Sequence, residues 1–141
     1  MSKHISTKVI ELGSCAFRQW RAVDTHCKYV HGYQLKAKFW FEGELDERNW
    51  VVHFGGLNEL KSELQGVFDH TLCIAASDPL LPLFKELHEK GGCDLRVMNE
   101  VGIELTAKYC FDTANKHVKK LTNNRCKVIK VEVWEHDANS A

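Results

Sequence analysis

The 141-residue chain sets 19 Lys+Arg against 19 Asp+Glu, for a formal net charge of zero, with 44% hydrophobic and 27% charged residues. These are the proportions of one globular domain, here taken as residues 1–141. The even charge lacks the basic excess of a nucleic-acid binder, and two prolines among well-spread apolar residues exclude long disorder. No apolar run approaches the roughly 20 residues of a membrane helix, and Met1 to Ile10 has polar residues where a secretion signal needs an apolar core. A soluble cytoplasmic protein with no membrane or nucleic-acid partner is expected.

Lys8 to Cys15 reads as a first strand. From His31 the pattern sharpens. His31, Tyr33, Leu35, Ala37, Phe39 and Phe41 fall on one face of an extended segment, and Gln34, Lys36, Lys38 and Glu42 on the other. Leu45 to Asn49 is polar and predicts a hairpin turn, with Trp50 to Phe54 returning as the partner strand. Gly55-Gly56 ends that strand, and Leu57, Leu60, Leu64 and Val67 or Phe68 follow at helical spacing. Pro79 to Glu89 predicts a shorter helix with Pro79 in its first turn and Gly91-Gly92 after it. Asp94 to Met98 predicts a short strand. Ile103, Ala107, Cys110, Ala114, Val118 and Leu121 mark a longer helix leaving through Asn123-Asn124. Lys127 to Glu135 closes the chain as a strand with Ile129, Val131, Val133 and Glu135 on one face. The expectation is an α+β fold, a four-stranded antiparallel sheet with helices on one face.

The six cysteines are well separated, without a CxxC pair, and the chain is long enough to build its own core, so they read as reduced thiols. Three clusters are candidates for chemistry. In Cys27-Lys28-Tyr29-Val30-His31-Gly32-Tyr33, strand parity puts His31 on the apolar face, where an imidazole must be hydrogen-bonded or metal-bound. Cys27 is either a small buried hydrophobe or, with a lowered pKa, a base or nucleophile. In Phe68-Asp69-His70-Thr71 a carboxylate adjoins an imidazole it could orient, provided the pair lies in an irregular segment such as a helix end. Glu135 stands at the rim of an apolar face, where a carboxylate can accept two hydrogen bonds from the planar N–H/NH2 edge of a pterin or guanine. Glu104 lies near the start of the long helix and favours its positive end.

The order of these clusters resembles the 6-pyruvoyltetrahydropterin synthase / 6-carboxytetrahydropterin synthase family. Its pattern runs Phe-Ser-Ala-Ala-His-Arg, Cys-x-x-x-His-Gly-His, Val-x-Asp-Phe, Leu-Asp-His, Pro-Thr-x-Glu and Val-x-Glu-Thr. The chain offers Ser14-Cys15-Ala16-Phe17-Arg18, Cys27-x-x-x-His31-Gly32-Tyr33, Val51-Val52-His53-Phe54, Phe68-Asp69-His70, Val101-Gly102-Ile103-Glu104 and Val133-Trp134-Glu135-His136. The resemblance implies a tunnelling fold, in which trimers close a barrel and two trimers stack into a homohexamer. It implies a lyase acting on 7,8-dihydroneopterin triphosphate, in the bacterial branch yielding 6-carboxytetrahydropterin on the way to queuosine and other 7-deazaguanines. Cys27 matches the cysteine that removes a proton, Asp69 and His70 its assisting pair, Glu135 the pterin anchor, and Glu104 the glutamate of Pro-Thr-x-Glu.

The departures concern the metal. The family holds catalytic zinc with three histidines, and those positions carry Phe17, His31 and Tyr33, so only His31 matches. The site is then either lost or rebuilt with help from His26 or His53. A chain without it would be a non-catalytic or altered-reaction oligomeric pterin- or purine-binding protein. Gly102 stands where the family has threonine. Arg18, Arg21 and Lys28 are candidates to neutralise a triphosphate.

Overall fold

The computed structural model describes residues 2–141. Its centre is a long antiparallel pair, β1 (His4–Phe17) and β2 (His31–Gly43), in register from His4 opposite Gly43 to Phe17 opposite His31. The alternation read in β2 holds, with Leu35, Ala37, Phe39 and Phe41 fully buried and the residues between them more open. β1 carries a bulge between Glu11 and Gly13, where Gly13 adopts φ +109°. The extra residue, Leu12, resets its parity: Ile10 faces the core before the bulge, Leu12 within it, and Cys15 and Phe17 after it.

α1 (Asn58–Phe68) buries Leu60, Leu64 and Phe68, and α3 (Ile103–Leu121) buries Ile103, Thr106, Cys110, Ala114 and Val118. Both stripes join one core with β1 and β2, each buried aliphatic side chain contributing roughly 1.5–3 kcal/mol. The helices meet where Phe68 packs edge-on against Tyr109, ring centroids 5.6 Å apart. α2 (Leu81–Glu89) buries no residue fully, and Gly91 at φ +82° follows it.

The sheet corrects the predicted four antiparallel strands. It has six, in the order β4-β3-β1-β2-β5-β6, and is mixed. β3 (Thr71–Ala75) lies parallel to β1, and β4 (Leu95–Met98) parallel to β3. β5 (Cys126–His136) and the short β6 (Asn139–Ser140) continue antiparallel beyond β2. β3 has every residue buried, so it shows no alternation to be read.

Three local expectations also change. Trp50 to Phe54 is not a strand: β1 and β5 occupy both edges of β2, leaving no free edge for it. The turn before it does form, with the Asp46 carboxylate accepting from the backbone of Arg48 (2.8 Å) and Trp50 (3.1 Å), and Val51 and Val52 then sink into the core as an irregular segment. α2 begins at Leu81, so Pro82 rather than Pro79 sits in its first turn. In β5 a register shift opposite Trp40/Phe41 turns Val128 inward and leaves Ile129 exposed. No helix among the described residues is long and apolar enough to cross a membrane.

Candidate functional site

Residues 18–30 connect β1 to β2 with a single 3-10 turn, His26–Lys28, as regular structure. Thr25 caps that turn, its hydroxyl accepting from the Cys27 N–H at 3.1 Å. The Cys27 carbonyl accepts from the Gln19 N–H at 2.8 Å. Cys27 is thus half-buried beside the place where β1 ends and β2 begins.

The first turn of β2 supplies the next groups. His31 Nδ1 lies 2.8 Å from the Tyr29 carbonyl. A carbonyl only accepts, so Nδ1 carries the hydrogen and Nε2 has the lone pair. That lone pair meets the Tyr33 hydroxyl in a short hydrogen bond. Phe17, across the β1–β2 pair, packs on Tyr33 with ring centroids 5.3 Å apart. Burial, together with the charges of Glu135 and Cys27, pushes the Tyr33 phenol above its ordinary pKa, so it stays protonated near neutrality. His31 thus bonds the phenol directly, and Glu135 and Cys27 lie near enough for their charges to act on it. Glu135 is the penultimate residue of β5, and an open groove of about 620 Å³ runs over Tyr33, Gln34, Lys36, Trp134 and Glu135. That is within the size range of small-molecule sites.

The donor set does not fit zinc. Phe17 has no lone pair to give. Both nitrogens of His31 are engaged, and the raised pKa of Tyr33 disfavours a phenolate ligand. Neither expected substitute helps. His26 is exposed and packs its ring near Tyr29, centroids 6.3 Å apart. His53 packs on Trp50 at the other end of the β1–β2 pair, beside His4.

Asp69 and His70 stand apart from this group. Asp69 caps α1, and His70 takes φ +60°, the irregular helix end that an adjacent pair needs. Asp69 Oδ1 lies 2.8 Å from His70 Nδ1 and accepts from the Ser14 N–H at 3.1 Å. This close seat exists because Gly13 has no side chain: a Cβ there would stand 2.1 Å from Asp69 Oδ1. The pair thus adjoins Ser14, whereas Cys27 bonds Gln19, five residues farther along a chain extended to Phe17. The backbone from Ser14 to Gln19 spans on the order of 10–15 Å. Glu104 is exposed in the first turn of α3. At Gly102, φ +142°, the place of a side chain is taken by the Gln19 amide, which a Cβ would meet at 2.9 Å, with Glu104 3.7 Å away.

The expected triphosphate cations are already engaged. Arg18 binds Asp78, Arg21 binds Glu100, and Lys28 donates to the Val23 carbonyl at 3.3 Å. Sequence reasoning missed Tyr33 as the hub, Asp78 as a buried partner, and Gly13. A glycine inside a strand pattern was the available signal for the last, and an Asp-Pro step for Asp78.

An α+β sheet with two helices packed on its core is a tunnelling-type fold, and the thiol, imidazole and carboxylate near Tyr33 mark a candidate small-molecule site on it. The sequence profile described as 6-pyruvoyl tetrahydropterin synthase matches residues 9–141, and the chain belongs to that family. It is 29% identical over 117 residues, 79% of its length, to a Pyrococcus horikoshii protein provisionally named 6-carboxy-5,6,7,8-tetrahydropterin synthase, covering 72% of that protein. Among solved structures it is similar to an uncharacterized protein of Wolinella succinogenes (TM-score 0.81, 22% identity, covering 100% of this chain and 97% of that one). It is also similar to the 6-pyruvoyl tetrahydropterin synthase of Caenorhabditis elegans (TM-score 0.68, 19% identity, 100% and 94% covered). A third is that of Plasmodium vivax (TM-score 0.70, 14% identity, 98% and 96% covered). At these identities the structural likeness establishes the fold alone.

Proposed function

We propose that the protein is a lyase of the 6-carboxytetrahydropterin synthase type that acts on 7,8-dihydroneopterin triphosphate, in the synthesis of queuosine and related 7-deazaguanine precursors. The observation that supports this reading is that Tyr33 and Glu135 line one open groove, with Cys27 near enough for its charge to act on the Tyr33 phenol. The Glu135 carboxylate accepts from the N–H/NH2 edge of the pterin. Cys27 takes a proton from the substrate side chain, the C–H electrons expel triphosphate, and with water the side chain is cut to a carboxylate, its outer two carbons leaving as an aldehyde.

The Asp69–His70 pair is the proton relay in this reading. Its seat at Ser14 lies away from the Cys27 of the same chain, so a second copy brings it to the thiol. A homo-oligomer, a hexamer built as a dimer of trimers, meets that need. No step is assigned to zinc, because Phe17, His31 and Tyr33 do not make a ligand set. The same observation favours a second reading, an oligomeric pterin- or purine-binding protein whose reaction is altered or lost.

Turnover of dihydroneopterin triphosphate by purified protein, with metal analysis of the same sample, separates the two. The first reading expects product without stoichiometric zinc. It also expects Cys27→Ala to bind ligand while kcat falls at least about 100-fold, the lower end of what a positioned base contributes. Tight binding of a pterin with no turnover by the wild type selects the second.

A further inference from the structure

The segment that carries Cys27 has almost no regular structure of its own, yet its thiol must be held to within a fraction of an ångström to act. One guanidinium reaches into it. Arg18, directly after β1, donates from Nε and Nη2 to the two carboxylate oxygens of Asp78, both at 2.7 Å. Its remaining nitrogen, Nη1, donates to the carbonyl of Lys28 at 3.2 Å, the residue next to Cys27.

Asp78 is a fixed post for this contact. Its side chain is fully buried and that of Arg18 is 15% exposed. Asp78 Oδ1 also accepts from the Leu80 N–H at 2.9 Å, its own N–H donates to the Ala75 carbonyl, and its carbonyl accepts from the Leu81 N–H. These three hydrogen bonds fix Asp78 within the connection between β3 and α2. Because a guanidinium is planar and rigid, two nitrogens fixed on a carboxylate set the direction of the third. The Lys28 carbonyl sits where that plane points. The Gln19 N–H, next to Arg18, holds the carbonyl of Cys27 itself.

We propose that the Arg18–Asp78 pair is the positioning device for Cys27, one buried fork that ties the thiol-bearing turn to the end of β3. Neither residue touches substrate. The proposal rests on the reading of Cys27 as the acting thiol, but the clamp itself can be tested without any pterin.

The test is the rate of Cys27 alkylation by iodoacetamide, followed by peptide mass spectrometry in a Cys93→Ser background, since Cys93 is the other half-buried thiol. Arg18→Lys keeps the charge on Asp78 but has no fork to reach Lys28. Arg18→Met/Asp78→Asn removes both charges together, so no buried charge is left unpaired to unfold the protein. Both variants are expected to alkylate Cys27 about tenfold faster or more, the effect of losing one charge-assisted hydrogen bond. In turnover of dihydroneopterin triphosphate, kcat should fall about tenfold or more with KM within twofold, because the ring anchor at Glu135 is untouched. Alkylation within twofold of wild type in both variants overturns the clamp, whatever the activity. Faster alkylation with unchanged kcat overturns its positioning role. A wild type that turns over no pterin sinks the activity reading, and the alkylation rates then decide the clamp alone.

Discussion

Replacing Gly13 by alanine should dislodge the Asp69–His70 pair from a distance of one atom. A side-chain-bearing residue at φ +109° is strained by about 1–3 kcal/mol. The new Cβ would also lie 2.1 Å from Asp69 Oδ1 and 2.4 Å from its Cγ, far inside contact distance, so the carboxylate must swing away. It then gives up the Ser14 N–H at 3.1 Å and the His70 ring at 2.8 Å. Asp69 is 40% exposed, so water replaces much of both, and each counts at the low end, about 0.5–1 kcal/mol. The total is about 2–5 kcal/mol, a fall in Tm on the order of 10 °C. Gly91→Ala is the control: it shares a positive φ, +82°, but nothing lies within 4 Å of its Cβ, so it carries the strain without the collision. Differential scanning calorimetry of both variants gives the comparison, and turnover should drop further in Gly13→Ala because the relay is displaced. If Gly13→Ala melts no lower than Gly91→Ala, the close seat of Asp69 has been misread.

Glu135→Gln should weaken pterin binding roughly tenfold to a hundredfold, because glutamine sets a donor against one of the two ligand donors, and its melt should change little since the position stays partly solvated. Calorimetric titration with neopterin or sepiapterin reads this, and equal affinities would remove Glu135 from the site. Arg18 holds the Asp78 carboxyl below the usual carboxylate range, so the unfolded chain binds the proton more readily. The stability this adds is present above about pH 4 and is lost as pH falls through the lower folded value; the Tm gap between wild type and Asp78→Asn should therefore close below about pH 4. A gap that persists unchanged to pH 2 contradicts that origin. Light scattering at micromolar concentration should give an oligomer, and a monomer would refute the assembly of Cys27 with Asp69–His70 from separate copies.

The parts of the fold that could be read beforehand are those with one wet side. β2 alternates because one face is core and the other open, and α1 and α3 carry single apolar stripes. β3 escaped because a strand buried on both faces has no period, and the inward face of β5 was misassigned because its bulge shifts parity at Ile129. At the site, parity alone put His31 and Tyr33 on the apolar side, and the helix end after Phe68 put Asp69 beside His70. What joins them was illegible. The Tyr33–Glu135 and Arg18–Asp78 neighbours are separated by scores of residues, and no local pattern marks two polar side chains that meet only after the sheet has formed.

The mixed sheet ends in two edges that are not alike. On one side lies β4, a four-residue strand parallel to its neighbour; on the other lies β6, two residues long and antiparallel to its own. One edge pairing with its own kind, β4 with β4 or β6 with β6, joins two copies about a two-fold axis and stops. Unlike edges meet head to tail, and each junction formed leaves one edge of each kind free for the next copy. Growth by unlike edges must therefore either bend round until the last edge meets the first, or run on as a fibre. The handed step from one copy to the next decides between a closed ring and an open filament, and that step is set by the twist accumulated across the six strands of a single chain.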